Sequence, residues 1–124
     1  MLRRRDPRLL RHSLAVEMNL AVGTNEEFAG LLALLSGPDS DMTDAQIQRT
    51  IGLAYMNMGN WELAERAYEE GWIPSSEMQN ALNDIRVATS LWPGLKPYLR
   101  MAVQETYEGV ELQEVHKTIL ALTE

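Results

Sequence analysis

The chain has 124 residues, the length of one domain, and its 45% hydrophobic and 23% charged composition excludes bulk disorder and collagen. A formal net charge of -7 argues against wrapping nucleic acid or lying on anionic lipid, and zero cysteines exclude disulfides, thiolate nucleophiles and cysteine-based metal sites. The longest strongly apolar run, residues 31–35, is far shorter than the roughly 20 residues that cross a bilayer, so we expect no membrane span.

The charge is divided unevenly along the chain. Residues 1–11 contain five arginines and one acid and carry +4, whereas the remaining 113 residues contain 6 basic and 17 acidic groups and carry -11. We therefore expect a basic N-terminal arm at residues 1–6, with Arg3, Arg4 and Arg5. This arm could be a solvated tail, dock on an acidic surface of a partner or another copy, or contact nucleic-acid phosphates. The acidic body favours docking over nucleic acid.

Apolar residues recur with a period near 3.6 between helix breakers, which predicts helices and no strand. The predicted helices cover about 7–22, 25–36, 44–58 and 61–71, a fifth that follows Pro74 and ends at Trp92, a sixth from Leu95 to Gly109 and a seventh from Leu112 onward. Thr43 and Gln46 form a predicted capping box at the start of the third helix. Because the connections are short, sequential helices are expected to be antiparallel neighbours. The prediction is a single all-α domain over 1–124 with about seven helices in antiparallel hairpins.

The third and fourth predicted helices carry small and aromatic residues at set spacings: Gly52, Tyr55, Gly59, Trp61, Ala64, Tyr68 and Gly71. We expect Gly52 and Ala64 to be small because two helix backbones approach closely there, and Gly59 with Asn60 to form a turn. Tyr55 and Tyr68 are expected in the core. The pattern resembles the tetratricopeptide repeat, a 34-residue helix–turn–helix unit, over residues 45–76. The resemblance implies either a repeat-like α-solenoid or a small helical bundle.

In such repeats the first helix of the hairpin lines a concave groove, so the resemblance implies that its outward-facing residues meet the ligand. Those residues would be Gln46, Arg49, Leu53, Met56 and Asn57. Arg49 and Asn57 could hold a carboxylate or a peptide backbone, and Leu53 and Met56 could hold an apolar side chain. The alternative is that Arg49 pairs with a neighbouring acid and that the chain's own helices fill the groove.

Residues that could support catalysis or metal binding are few. The histidines, His12 and His116, have no acid at helical spacing on their own face, so we expect both to be solvated rather than metal ligands. Phosphate-binding glycine loops, nucleophile elbows and zinc-protease histidine pairs are absent from the sequence. We therefore expect no enzyme, no cofactor and no small-molecule substrate.

These features predict a non-catalytic protein–protein interaction or assembly module that binds a protein partner or other copies of itself. One alternative is a structural subunit of a large multi-copy complex, for example a virion, tethered by the Arg-rich arm. A nucleic-acid-binding regulator is a less favoured alternative. We expect the protein in the cytoplasm or in a large soluble assembly, and not to be secreted.

Overall fold

The computed structural model describes residues 26–37 and 41–124, which form five α-helices and no strand. We number the helices in chain order as α1 (Glu26–Leu35), α2 (Asp44–Glu69), α3 (Ser75–Leu91), α4 (Lys96–Thr106) and α5 (Glu114–Leu122). A short 3-10 helix, Pro93–Leu95, joins α3 to α4. The predicted all-α class is confirmed for this part of the chain. The helix predicted over 7–22 and the arm with Arg3, Arg4 and Arg5 lie outside the described residues.

The start of α2 is fixed by the predicted capping box. The Thr43 side-chain oxygen accepts a hydrogen bond from the Gln46 N–H at 3.2 Å. In return, the Gln46 side-chain oxygen accepts one from the Thr43 N–H at 2.9 Å. These reciprocal bonds satisfy two N–H groups that have no partner within a helix, and they end the preceding loop at Thr43.

The helix α2 continues through Gly59 and Asn60 without a turn, so the prediction of separate helices over 44–58 and 61–71 is wrong. Gly59 lacks the positive φ that would need glycine there. A buried stripe with helical spacing runs through this region: Thr50, Leu53, Ala54, Asn57, Met58, Trp61, Ala64 and Glu65. Burial of side chains such as Met58 and Trp61 stabilises by about 1.5–3 kcal/mol each, which exceeds the roughly 1 kcal/mol cost of a helical glycine.

The chain turns instead after α2, at Gly71. Its φ is +77°, a conformation that glycine adopts without steric cost. The N–H of Trp72 donates to the Ala67 carbonyl at 2.8 Å and the N–H of Gly71 donates to the Tyr68 carbonyl at 3.0 Å, the paired bonds of a Schellman cap. The antiparallel helix pair in this region is therefore α2 with α3, and the hairpin predicted over 45–76 with its turn at Gly59 is absent.

Small residues allow α2 and α3 to approach closely. Ala64 and Ala67 of α2 form a buried apolar cluster with Ala81 of α3 and Ile73 of the connection. The predicted role of Ala64 as a small contact residue agrees with this packing, although its partner helix is α3. Gly52 has no such role, because it is exposed and a Cβ added there would meet nothing within 4 Å.

The predicted core positions of two aromatic residues are wrong. Tyr55 is 37% exposed and lies away from the buried stripe of α2, whereas Tyr68 continues that stripe but is 42% exposed in the last turn of the helix. Trp61, in contrast, is 3% exposed and belongs to the main core. Spacing within one helix places residues on a common face, but it does not say which face the other helices cover.

The main core joins all five helices, and α1 reaches it through Leu31 and Leu35. The 3-10 helix packs against the end of α1 at Gly94, where a Cβ would lie 3.1 Å from both the Cα and the carbonyl oxygen of Leu35. A side chain at this position would be crowded against the backbone of Leu35, so glycine suits this close approach. No helix in the described residues is long and apolar enough to cross a membrane.

Candidate functional site

An open groove lies between the end of α4, the connection that follows it and α5. Its volume is about 580 Å³. The lining residues are Val103, Gln104, Glu105, Tyr107, Glu108, Gly109, Val110, Leu112 and Leu120. We call it the α4–α5 groove. Its lining combines apolar side chains from both helices and the connection with two acids, and Val110 is 58% exposed.

The surroundings of the groove are acidic. Residues 101–116 contain four glutamates and no lysine or arginine. Arg100 and Lys117 flank this stretch, and the Arg100 guanidinium donates to the carbonyl of the lining residue Leu120 at 3.1 Å, so residues 100–117 carry -2. All four of these acids are exposed, and Glu105 accepts a hydrogen bond from the Tyr55 hydroxyl at 3.2 Å. The fourth, Glu114, lies 4.0 Å from the ammonium of Lys117. The acidic rim of the groove therefore consists mainly of Glu105, Glu108 and Glu111.

Tyr107 connects the groove to a polar cluster that it forms with Glu62, Glu65 and His116. The Tyr107 hydroxyl donates to the Glu62 carboxylate oxygen Oε2, and the same oxygen lies 2.9 Å from Nε2 of His116. The rings of Tyr107 and His116 are packed with their centroids 3.8 Å apart. Glu62 of α2 thus binds Tyr107, at the start of the connection between α4 and α5, and His116, in the first turn of α5.

His116 is wholly buried, so the prediction that it is solvated is wrong. Its Nδ1 accepts a hydrogen bond from the Gln113 N–H at 3.2 Å. Because Nδ1 is an acceptor, the ring proton lies on Nε2, which donates to Glu62. Both nitrogens are therefore occupied by bonds that hold the start of α5. Residue spacing does not indicate this arrangement, since Glu62 lies 54 residues away along the chain.

Glu65 caps α5 from a different helix. Its two carboxylate oxygens accept hydrogen bonds from the N–H groups of Glu114 and Val115, each at 3.0 Å. The first N–H groups of a helix lack intrahelical partners and carry the positive end of the helix dipole, so a carboxylate stabilises them doubly. Glu65 is almost fully buried, which shields this interaction from water. Sequence analysis missed the role because cap and helix lie about 50 residues apart.

The cluster holds the walls of the groove in place. Glu62 and Glu65 lie one turn apart on α2, and together they bind Tyr107, the N-terminus of α5 and His116. Within residues 26–37 and 41–124, no group of three or more histidine or acidic side chains could hold a metal ion. The arrangement positions the segment between α4 and α5.

The five residues predicted to line a concave groove on α2 do not share one exposed face. Leu53 is buried in the core, and the buried Asn57 donates from its side-chain amide to the Leu53 carbonyl at 2.8 Å. The prediction that these two residues face outward is therefore wrong, because the chain's own helices cover them. Gln46 forms the capping box with Thr43. Only Arg49 and Met56 of the set are exposed.

Arg49 forms an ion pair with the first turn of α1. Its guanidinium lies 2.6 Å from the Glu27 carboxylate, and both side chains remain well exposed. The expectation that Arg49 pairs with a neighbouring acid, such as Asp44 or Glu65, is wrong in the partner, because the acid is Glu27 of α1. An exposed pair of this kind contributes little to stability, but it places the N-terminal end of α1 beside residue 49 of α2.

Comparisons with known proteins do not add a family. No protein-family model, no curated protein and no solved structure matches this chain. The resemblance to the tetratricopeptide repeat therefore remains a feature of the sequence pattern, and its 45–76 segment spans the turn after a long helix. The α4–α5 groove and its charged side chains are therefore the features of the described residues that bear on function.

Proposed function

We propose that this protein is a non-catalytic protein-interaction or assembly module, and that its binding surface is the α4–α5 groove. The observation that carries the proposal is the combination of an apolar lining and an acidic rim in one open groove. Surfaces of this type receive the apolar face of a peptide or helix, while the charged rim selects partners of opposite charge. The expected partner is therefore a basic, amphipathic protein segment.

The polar side chains nearest the groove support a binding role over a catalytic one. The Tyr107 hydroxyl is already bonded to Glu62, and both nitrogens of the buried His116 have partners. A general base must lie within hydrogen-bond reach of the proton that it removes. The exposed carboxylates Glu108 and Glu111 are accessible to a partner's cations, which suits recognition of charge.

A second candidate function, a structural subunit of a multi-copy complex, is supported by apolar residues elsewhere on the surface. Val87 and Leu91 are 45% and 55% exposed and lie four residues apart on one face of α3. Neither residue belongs to the α4–α5 groove. A subunit with several neighbours would use more than one apolar patch, whereas an interaction module with one partner needs only the groove.

Site-specific photocrosslinking tests the proposal. A photocrosslinking residue replaces Val110 in the groove, and a matched control replaces Gln79, an exposed residue of α3 outside the groove lining. We expect a discrete crosslinked protein, or a crosslinked copy of the chain, from position 110 and not from position 79. Equal crosslinking at both positions would contradict the proposal.

Light scattering over a range of salt concentrations separates the two candidates. Salt-sensitive self-association of the purified chain supports the multi-copy subunit, because charge pairs between exposed groups weaken as salt screens them. A chain that stays monomeric and yet crosslinks to another protein at position 110 supports the interaction module. A monomer whose position 110 crosslinks neither to another protein nor to another segment of the same chain would rule out both.

A further inference from the structure

We propose that the α4–α5 groove is occupied by the chain's own Arg-rich N-terminal segment, residues 3–14, bound within the same molecule. The inference rests on the proposed function, because it treats the groove as a binding surface. It goes further by naming the occupant. Three observations carry it: the charge of the segment, its apolar residues, and the distance between the groove and the start of α1.

The charges of the segment and the rim are complementary. Residues 1–11 carry +4, and residues 100–117, which include the rim and the flanking Arg100 and Lys117, carry -2. No lysine or arginine lies within residues 101–116, which contain the exposed Glu108 and Glu111. Opposite charges at this density attract over about 8–10 Å at physiological salt, so the segment is drawn to this part of the surface.

The segment also has apolar side chains that suit the lining. Leu9 and Leu10 lie between Arg8 and Arg11, and Leu14 follows three residues after Arg11. This is the pattern of a basic amphipathic segment, whose apolar face packs into a hydrophobic groove while its cations meet an acidic rim. The groove offers an exposed valine and two partly exposed leucines for that face: Val110, Leu112 and Leu120.

The distances on α2 allow the segment to reach the groove. The start of α1 lies beside Arg49, through its ion pair with Glu27. The groove lies beside Tyr55, which bonds to Glu105, and beside Glu62, which bonds to Tyr107. At a rise of 1.5 Å per residue, these contacts lie roughly 9 and 20 Å further along α2 than Arg49.

The chain between the arginines and α1 spans that separation. Fourteen residues separate Arg11 from Glu26, and they reach about 46 Å when fully extended or about 21 Å when helical. The extended length exceeds the larger axial separation of about 20 Å by roughly 26 Å, which leaves enough chain to pass around α2 to the groove. A tethered segment has an effective concentration on the order of millimolar, so binding within one molecule prevails over binding between molecules in dilute solution.

Paramagnetic relaxation in the full chain tests the proposal. Because the chain has no cysteine, a spin label can be placed at one chosen position. We choose Thr106→Cys, an exposed residue next to the groove lining, and Gln79→Cys on α3 as the matched control. The amide signals of residues 3–14 should lose most of their intensity with the label at 106 and keep it with the label at 79.

Charge reversal provides the second arm of the test. Glu108→Lys with Glu111→Lys should restore the lost signals of residues 3–14. The control pair, Glu69→Lys with Glu70→Lys, changes the net charge equally at exposed positions of α2 and its C-cap, and should leave the signal loss intact. Unchanged helical circular dichroism in all four variants excludes unfolding as the cause.

Three results would overturn the proposal. The first is no signal loss at residues 3–14 with the label at 106. The second is equal loss with either label. The third is loss that appears only when spin-labelled and isotope-labelled chains are mixed, which would assign the segment to a second copy. If residues 3–14 show no signal loss but position 110 crosslinks to another protein, the proposed function stands and that protein, rather than residues 3–14, occupies the groove.

Discussion

The substitution Glu65→Gln tests whether α5 is held by a carboxylate from α2. Glutamine preserves the size of the side chain but has one oxygen in place of two. The N–H groups of Glu114 and Val115 both bond to the carboxylate at 3.0 Å, so one of them would face the glutamine amide nitrogen instead. That N–H would lose its partner in a buried site.

The expected loss can be estimated from these bonds. A hydrogen bond to a charged group contributes about 1.5–3 kcal/mol, and a carboxylate at a helix N-terminus contributes a further 0.3–1 kcal/mol or so. Glutamine also removes the cost of burying a charge, which offsets part of the loss. We therefore expect the free energy of unfolding to fall by roughly 2–3 kcal/mol, a large share of the 5–15 kcal/mol typical of a domain.

Urea unfolding followed by tryptophan fluorescence and circular dichroism measures this change. Glu69→Gln is the matched control, because Glu69 is an exposed residue on the same helix, and the expected change there is within about 0.5 kcal/mol. Amide hydrogen exchange should show faster exchange in α5 for Glu65→Gln. A free energy of unfolding equal to that of the control would refute the capping role of Glu65.

Three further substitutions are expected to change the free energy of unfolding in the same assay. Gly94→Ala should lower it by about 1–3 kcal/mol, because the new Cβ would lie 3.1 Å from backbone atoms of Leu35; an unchanged value would contradict that packing. Gly59→Ala should raise it by about 0.5–1 kcal/mol as in any exposed helix interior, whereas a decrease would indicate a turn there. Tyr107→Phe should lower it by about 0.5–1.5 kcal/mol through loss of the bond to the α2 carboxylate, and Tyr68→Phe, an exposed control, should not.

Local signals predicted the boundaries of most elements. The Thr43 capping box starts α2, and Gly71 ends it with a positive φ. Gly109, the predicted stop of the sixth helix, lies three residues after the end of α4 and also has a positive φ. These signals are reliable because a cap or a tight turn involves residues within about five positions of one another.

The errors arose where distant parts of the chain decide the outcome. Gly59 and Asn60 favour a turn by their own propensities, but burial of Met58 and Trp61 against other helices keeps α2 continuous. His116 has no partner on its own helix, and its partner Glu62 becomes adjacent only after α2 and α5 pack. The walls of the α4–α5 groove depend on such contacts, so spacing could not predict the groove.

One sequence signal for the groove was available. Glutamates recur at every third residue from Glu105 to Glu114, and no lysine or arginine interrupts them. That pattern is the counterpart of the arginines in residues 1–11, which were recognised as a basic arm without an assigned acidic surface. Spacing along the chain does not show that the two segments could meet. The structure does, because it places residues 105 and 107 against Tyr55 and Glu62 of α2.

The continuity of α2 through Gly59 is the central structural claim, because it places Glu62 and Glu65 where they bond to Tyr107 and to the start of α5. A distance between spin labels at Gln48→Cys and Arg66→Cys tests it directly, since both residues are exposed and the chain has no other cysteine. They lie 18 residues apart, so a continuous helix separates their backbones by about 27 Å with the labels on one face. A distance near that value is the prediction. A distance under about 15 Å, as in an antiparallel pair of helices 8–10 Å apart with a turn at Gly59, would contradict it.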